Sequence, residues 1–371
     1  MLKEGMTIDR LLQKMGELEA SDLHIKVGSP PVIRIASKLH RIDAPEMNGE
    51  DTRKLLQPIL PDHLLQDLDQ KGGIDFSHRR EDLSRFRCNV FSSGGELHAA
   101  IRRVNDKIPN YDELNLPPIY SQVMEGAHEG IIVVCGVTGS GKSSTLAAMI
   151  NHINKTRQVN IITIEDPIEY AYKAEQSYIS QREIGIDTED FSSALRSVVR
   201  QDPDVIMIGE LRDRETVLAG IQAAETGHLV FVTLHTSDTM QAFARMLEFF
   251  PQKEHSFIRS SLANSLVAVM AQRLVPSLRK DIQLIPVTEV LINNTTVSDR
   301  IRDGADDELP LIMAGSLEEG MHDFTYSLTR LINENYLDLR TAVKYAPNVE
   351  ALRARVKGIE VKADVLVSKG R

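Results

Sequence analysis

Four residues near the middle of the chain have the types and the spacing that binding of a phosphate group requires. They fit the pattern G-x-x-x-x-G-K-[ST] within the stretch GVTGSGKSS and are Gly136, Gly141, Lys142 and Ser143. Glycines, including Gly139, let the backbone turn so that successive N–H groups point at one anion. The lysine adds a positive charge for the β- and γ-phosphates, and the hydroxyl can bind Mg²⁺. The sequence therefore predicts a nucleoside triphosphate site at this loop.

Carboxylates end two other apolar runs of the chain. Glu165 and Asp166 end the first run in IITIEDPIEY, where a proline then returns Glu169 toward the same edge, and Glu210 ends the second in PDVIMIGELRD. Hydrolysis needs a group that orients or deprotonates water and a carboxylate that holds the metal. We predict that Glu165 or Glu169 is the base. The predicted metal ligands are Ser143, Asp166 and Glu210. Alternatively, Asp166 could cap the next turn and Glu169 could be a solvated surface residue.

Two histidines flank one further apolar run, HLVFVTLH. His228 and His235 are seven residues apart, and this odd spacing places their side chains on opposite faces of a regular strand unless a bulge intervenes. His235 follows the carboxyl end of the run, where the other catalytic groups gather, so we predict that it senses phosphate. His228 is the candidate for contact with a neighbouring subunit.

The elements that must position these residues form an α/β pattern. From residue 119 onward, the runs GIIVVC, VNIITIED, PDVIMIGE and HLVFVTLH alternate with helical segments. This alternation is typical of a parallel sheet that is buried on both faces. Residues 1–105 read as a smaller mixed α/β unit, and a Pro- and Asn-rich linker over 106–118 separates it from 119–371. The second domain ends in helices and a polar tail, VKADVLVSKGR, that we expect to be disordered.

The composition narrows the class of protein. Only two cysteines occur, Cys88 and Cys135, and both lie in strand-like runs, which excludes a disulfide framework and a four-cysteine zinc site. The formal net charge is -10, aromatic residues make up 5% and tryptophan is absent, so a nucleic-acid partner is disfavoured. No apolar run approaches the roughly 20 residues that cross a bilayer, and the N-terminus has no signal-peptide pattern, so we expect a cytoplasmic protein.

Four motifs in this order resemble those of the secretion and motility ATPases, specifically the type IV pilus retraction ATPases of the PilT/PilU kind. The motifs are GVTGSGKSS, IEDPIEY, VIMIGELRD and TGHLVFVTLHT. The resemblance extends over nearly the whole chain, because SDLHIKVGSPPVIRI is similar to the opening of the family's N-terminal domain and GMHDFTYSLTRLINENYL to its C-terminal helices. It implies a RecA-like P-loop NTPase domain, a smaller N-terminal PAS-like α/β domain and C-terminal helices.

The resemblance also implies an activity, cofactors and partners. It implies a Mg²⁺-dependent ATPase in a homohexameric ring, whose domain rotation powers pilus retraction and twitching motility at the inner membrane. The implied partners are the inner-membrane platform protein of the pilus and a paralogous retraction ATPase. It leaves open whether the chain is the main motor or an accessory ring subunit that binds ATP with little turnover.

Site residues carry over from the family position by position. The nucleotide-binding loop would comprise Gly136, Val137, Thr138, Gly139, Ser140, Gly141, Lys142, Ser143 and Ser144. The catalytic set would comprise Glu165, Glu169, Glu210, His228, His235 and arginine fingers chosen among Arg87, Arg102 and Arg103. The stretch DRIRDG, with Ile301, Arg302 and Gly304, resembles a segment that the family needs for retraction. On its residues alone, this stretch is a helix end closed by a glycine.

Overall fold

The computed structural model of the chain describes residues 6–36, 38–82, 84–105 and 107–359, with the side chain of residue 63 excepted. The tail VKADVLVSKGR, predicted to be disordered, lies outside the described residues. The chain divides into two compact units. One comprises Met1–Lys107 and Glu169–Ala171, and the other comprises Ile108–Ile168 and Tyr172–Arg371.

The first unit contains a six-stranded antiparallel sheet and three helices. Its elements are α1 (Ile8–Glu17), β1 (Asp22–Ile25), β2 (Val32–Ile35), β3 (Lys38–Arg41), α2 (Gly49–Leu56), α3 (Leu65–Lys71), β4 (Gly73–Arg79), β5 (Arg85–Ser93) and β6 (Glu96–Arg103). The strand order is β3-β2-β1-β6-β5-β4. Helix α1 begins where Thr7 accepts a hydrogen bond from the Arg10 N–H, and its apolar residues at helical spacing face the core. Gly94 and Gly95 both have positive φ and form the predicted turn between β5 and β6.

The second unit is a seven-stranded sheet surrounded by helices. Its elements are α4 (Ile119–Gly126), β7 (Gly130–Cys135), α5 (Lys142–Thr156), β8 (Asn160–Glu165), β9 (Tyr178–Glu183), α6 (Phe191–Val198), β10 (Val205–Ile208), α7 (Arg214–Glu225), β11 (Leu229–Leu234), α8 (Thr239–Glu248), α9 (His255–Ser265), β12 (Leu266–Pro276), β13 (Leu284–Ile292), α10 (Thr295–Asp303), α11 (Leu309–Gly315), α12 (Phe324–Asn333), α13 (Leu339–Tyr345) and α14 (Val349–Val356). The strand order is β13-β12-β7-β11-β10-β8-β9. Only the β12–β13 pair among these neighbours is antiparallel.

The four apolar runs identified in the sequence form the centre of this sheet. Every residue of β7, β10 and β11 is buried. Along β7, Ile131 and Val133 pack into the apolar cluster on one face, while Ile132 and Val134 pack into the cluster on the other. The prediction of a parallel sheet buried on both faces is therefore confirmed for these strands.

Most of the stretch predicted to be a linker, residues 108–118, belongs to the second unit. Leu116 is buried in the cluster that contains Ile132 and Val134, and Tyr111 and Leu114 pack against the same cluster. These apolar side chains alternate along the chain with the polar residues that suggested a linker. Composition alone therefore does not show at which residue the second unit begins. The role of 106–118 as a linker stays a prediction.

In the part of the chain that the structure describes, no helix is both long and apolar enough to cross a bilayer.

Candidate nucleotide-binding site

The carboxyl ends of four parallel strands meet at one edge of the second unit's sheet. Strands β7, β11, β10 and β8 are consecutive neighbours, with Cys135 opposite Leu234 and with Ile208 opposite both Val232 and Ile164. The segments that follow these strands carry the glycine-rich loop, His235, Glu210 and Asp166. Ligands bind at this edge in open α/β sheets. The sheet thus brings most of the predicted site residues together.

The glycine-rich loop occupies the space between β7 and α5. Gly136 has φ +155°, and a Cβ atom added there would lie 2.5 Å from the Gln272 carbonyl oxygen and 2.4 Å from Ser140 Oγ. Gly141 has φ +90°, a left-handed conformation that favours glycine, and α5 begins at the next residue. Close approach at the first glycine and backbone conformation at the second therefore explain why both positions are glycine.

Lys142 lies inside this loop. Its ammonium group donates hydrogen bonds to the carbonyl oxygens of Gly136, at 2.8 Å, and Val137, at 3.2 Å. The side chain is only 8% exposed. A buried positive charge beside a helix N-terminus, where free N–H groups point outward, fits an anionic group such as a phosphate. The other loop residues range from exposed (Val137, Thr138 and Gly139) through half-buried (Gly141, Ser143 and Ser144) to buried (Gly136 and Ser140).

Backbone hydrogen bonds fix Glu210 on both sides. The Gly209 N–H donates to the Ile164 carbonyl oxygen at 2.8 Å, and the Leu211 N–H donates to the Thr233 carbonyl oxygen at 3.1 Å. The Thr233 hydroxyl also donates to the Gly209 carbonyl oxygen. A Cβ atom at residue 209 would lie 3.2 Å from the Ile164 carbonyl oxygen, so a glycine before Glu210 allows the two strands to approach closely. This contact explains the Gly-Glu order that follows the apolar run.

Arg212 joins two of the predicted metal ligands. Its Nε donates to Glu210 at 2.7 Å and its Nη1 donates to Asp166 at 2.9 Å. The hydrogen bond to Glu210 is the largest cause that raises the pKa of the Arg212 guanidinium, so this group stays charged. About half of the Arg212 side chain is exposed, and solvent therefore screens both ion pairs.

The donor set at this edge suits Mg²⁺ by its chemistry. Ser143, Asp166 and Glu210 all offer oxygen atoms, and Mg²⁺ is usually held by one or two carboxylates together with substrate phosphates and water. No group of three or more His, Cys, Asp or Glu side chains within the described ranges could hold a metal by itself. These residues therefore fit a metal that arrives with a nucleotide.

His235 and Glu165 complete the edge. His235 Nε2 lies 3.6 Å from Glu210 Oε1, and both side chains line a cleft of about 530 Å³ beside α8. Glu165 is buried, and its Oε1 accepts hydrogen bonds from Thr163, at 2.6 Å, and from Gln181 Nε2, at 3.0 Å. The carboxylate of Glu165 is therefore held at the end of β8.

Glu169 and His228, two further predicted catalytic residues, are placed differently. Glu169 is exposed, and the stretch Glu169–Ala171 belongs to the first unit. Tyr170 forms a β-bridge with Asn105, and the Ala171 N–H donates to the Asn105 carbonyl oxygen at 2.9 Å. The three carboxylates of the IEDPIEY motif thus do not form one cluster within the second unit. His228 lies before β11 at the opposite edge of the sheet, where its Nδ1 contacts the Ala223 carbonyl oxygen at 2.8 Å. Their catalytic roles stay predictions.

The three candidate arginine fingers lie on the first unit's sheet but not on one face. Arg87 and Arg102 are direct cross-strand partners and both are exposed, so they share a face. Arg102 donates to Asp22 at 2.9 Å. Arg103, one position later on β6, points to the other face, near Gly16 of α1. The register therefore separates Arg103 from the other two candidates.

The DRIRDG stretch forms the end of α10. Ile301 is fully buried, Arg302 is exposed and paired with Asp299, and Gly304 closes the helix with φ +75°. Its reading as a helix end closed by a glycine is confirmed. The role in retraction that the resemblance implies stays a prediction.

Two residues with contacts at the site were missed in the sequence. Gln272 contacts the loop and α5, and Arg212 holds Asp166 and Glu210. Two features of the sequence point to these residues. Gln272 is a polar residue in the middle of the apolar run LVAVMAQRLVP, and Arg212 lies two positions after a predicted metal ligand, Glu210.

Comparisons with known proteins agree with this geometry. A family model described as Type II/IV secretion system protein matches residues 6–303. The chain is 36% identical over 364 residues to the type IV pilus ATPase PilU of Pseudomonas aeruginosa, which covers 98% of this chain and 95% of that relative. It is 37% identical over 298 residues to the type IV pilus retractation ATPase PilT of the same species, which covers 80% of this chain and 86% of the relative.

A solved structure supports the fold over almost the entire length. The crystal structure of the pilus retraction motor PilT with bound ADP matches with a TM-score of 0.84 and 37% sequence identity. The match covers 94% of this chain and 99% of that chain. The predicted α/β fold, with an ATPase domain followed by C-terminal helices, is therefore confirmed.

Proposed function

Because the chain belongs to the type II/IV secretion system protein family, whose members PilU and PilT named above are ATPases, we propose that it hydrolyses ATP to power retraction of type IV pili. The observation that carries this proposal is the buried Lys142 inside a glycine-rich loop, at the same sheet edge as Glu210. Similarity to the two pilus ATPases along the chain identifies the cellular process.

The loop and the acidic residues would divide the work between them. Loop N–H groups and Lys142 would bind the phosphates, and His235 would sense the terminal phosphate. Glu165, held by Thr163 and Gln181, would orient the attacking water, with Glu169 as the alternative base. Mg²⁺ held by Ser143, Asp166 and Glu210 would neutralise charge on the phosphates.

The proposed working form is a homohexameric ring at the cytoplasmic face of the inner membrane, in contact with the pilus platform protein. An arginine from a neighbouring subunit, Arg87 or Arg102, would stabilise the charge that develops on the transferring phosphoryl group. Rotation of the two domains about residues 106–118 would supply the mechanical output. His228 would contact a neighbouring subunit.

A second candidate function follows from Arg212. Its guanidinium group donates hydrogen bonds to both carboxylates that are proposed to hold the metal, those of Glu210 and Asp166. If Arg212 keeps both contacts when nucleotide binds, these carboxylates would not hold the metal, and the chain would be an accessory or regulatory ring subunit that binds ATP with little turnover. The two candidates differ in one measurable quantity, the rate of phosphate release by the purified chain.

Phosphate release with and without Mg²⁺ tests the proposal. The variants are Lys142→Ala, Glu165→Gln and Glu169→Gln, and the matched control is Lys155→Ala, an exposed lysine on the same helix. We expect Mg²⁺-dependent turnover in the wild type and the control, and loss of nucleotide binding in Lys142→Ala. One glutamine variant should bind ATP and release phosphate at least about 100-fold more slowly, which identifies the base.

The contrary results are distinct. A wild-type chain that binds ATP but releases no phosphate at any protein concentration would favour the accessory ring subunit. A wild-type chain that turns over ATP but does not restore twitching to a strain that lacks its retraction ATPase would contradict the role in retraction.

A further inference from the structure

Gln272 is a polar residue inside an otherwise apolar strand. It lies on β12, whose Ala271 pairs in parallel register with Cys135, the last residue of β7. Gln272 is therefore beside Gly136, where the chain leaves the sheet to form the glycine-rich loop. Its side chain is 1% exposed. A fully buried amide is costly unless its donor and acceptor atoms are both satisfied.

Both polar atoms of the Gln272 side chain are used at this site. Nε2 donates to the Ser140 carbonyl oxygen at 2.7 Å, and Oε1 accepts from the Thr145 hydroxyl at 2.9 Å. Because a carbonyl oxygen can only accept, the orientation of the amide is unambiguous. One side chain thus joins the loop to the first turn of α5, which begins at Lys142.

The Gln272 residue also lies directly against the loop at two glycines. Its backbone carbonyl oxygen is 2.5 Å from where a Cβ atom of residue 136 would be, and its Nε2 is 3.0 Å from the corresponding point at residue 141. The loop therefore packs on Gln272 at Gly136, Ser140 and Gly141. The Nε2 hydrogen bond requires the Ser140 carbonyl group to point at Gln272.

The Ser140 hydrogen bond has a consequence for phosphate binding. In a trans peptide the carbonyl oxygen and the following N–H point in opposite directions. With the Ser140 carbonyl aimed at Gln272, the Gly141 N–H points to the opposite side of the loop. We propose that Gln272 is a positioning residue of the nucleotide site, whose amide aims the Gly141 N–H at bound phosphate. The inference rests on the nucleotide binding proposed above.

The test compares Gln272→Met with Asn154→Leu. Methionine keeps the length of the side chain but has neither amide atom. Asn154 is a matched control, because it is also a fully buried amide and lies on α5, with Nδ2 donating to the Lys173 carbonyl oxygen at 2.7 Å and Oδ1 accepting from the Glu175 N–H at 3.1 Å. It lies 12 residues after Lys142, about 18 Å along α5.

The readouts are the Kd for ADP, from displacement of a fluorescent ADP analogue, and the rise in melting temperature that ADP causes. Both variants lose buried hydrogen bonds and should melt earlier than the wild type. We expect Gln272→Met to bind ADP about tenfold more weakly or worse and to lose most of the ADP-induced rise. Asn154→Leu should bind ADP within about twofold of the wild type.

Each outcome decides the question. Wild-type ADP affinity in folded Gln272→Met would overturn the positioning role, and so would equal weakening in Asn154→Leu. If Gln272→Met does not fold, Thr145→Val decides. It removes the hydrogen bond to Gln272 Oε1 that holds the amide in position to donate to Ser140, and it should weaken ADP binding about threefold. Unchanged affinity in Thr145→Val would then overturn the proposal. A wild-type chain that does not bind ADP would overturn the proposed nucleotide site itself.

Discussion

His322 shows how a single proton can affect the second unit of this chain. The residue is buried, its Nδ1 contacts the Gly320 carbonyl oxygen at 3.1 Å and its Nε2 contacts the Thr288 hydroxyl at 2.9 Å. Because a carbonyl oxygen can only accept, Nδ1 carries the proton and Nε2 accepts from Thr288. Burial lowers the pKa of His322 from 6.5 to about 4. The neutral ring is therefore the form that the fold stabilises.

We predict that His322 makes the fold less stable in mild acid. Its pKa is lower in the folded chain, so the unfolded chain binds the proton more tightly, and the stabilisation present above pH 6.5 is lost as the pH falls toward 4. The loss at pH 5 should be about 2 kcal/mol. Thermal melting of the wild type and His322→Asn at pH 7.5 and pH 5 measures it. Equal pH shifts in the two proteins would contradict the prediction.

Residues of the site differ in how far the sequence alone could predict them. The loop from Gly136 to Lys142 is contiguous, so its chemistry is visible in one short pattern. Gln272 acts on Ser140 from 132 positions away and Arg212 acts on Asp166 from 46 positions away. Such pairs depend on which strands become neighbours, and a single sequence does not fix that order.

The secondary structure elements show a similar contrast. The four buried strands β7, β8, β10 and β11 were predicted because apolar runs mark strands covered on both faces. Strand β9 was not singled out, since its sequence YISQRE is mostly polar and it forms an edge of the sheet. The position of Glu169 in the first unit could not be predicted either. A turn that contains proline does not indicate which unit the residues after it will join.

The end of α10 supplies a prediction at the element scale. Gly304 has φ +75°, and its N–H contacts the Ile301 carbonyl oxygen, to which Arg259 also donates at 3.2 Å. Gly304→Ala would force an alanine into the left-handed region at a cost of about 1 kcal/mol. The atoms nearest to an added methyl group belong to the Arg259 side chain, at 3.6 Å, so strain rather than a clash sets this cost.

Gly315→Ala is the matched control for this change. Gly315 ends α11 and has no atom within 4 Å of an added Cβ. We expect Gly304→Ala to melt about 2–4 °C below the wild type and Gly315→Ala to melt at the wild-type temperature or above it. A Gly304→Ala protein as stable as the control would show that the helix end does not depend on this conformation.

At the scale of the whole molecule, the proposed ring would combine residues from two subunits at each site. The nucleotide loop belongs to the second unit, and the candidate arginines belong to the first. If each site takes its arginine from a neighbouring subunit, specific activity should rise with protein concentration as the ring assembles. A flat activity profile across a dilution that dissociates the oligomer would contradict a shared site.

Mixing two inactive variants tests this sharing directly. Lys142→Ala lacks a working loop but keeps Arg102, and Arg102→Ala lacks the arginine but keeps the loop. In rings formed from an equal mixture, about one site in four would have both groups intact, so the mixture should regain about a quarter of wild-type turnover. If the sheet face that carries Arg102 meets the nucleotide, Arg103→Ala should be active alone, because Arg103 points to the opposite face. Recovery in the mixture would show that neighbouring subunits complete each site, whereas no recovery would mean that each subunit uses its own arginine or none.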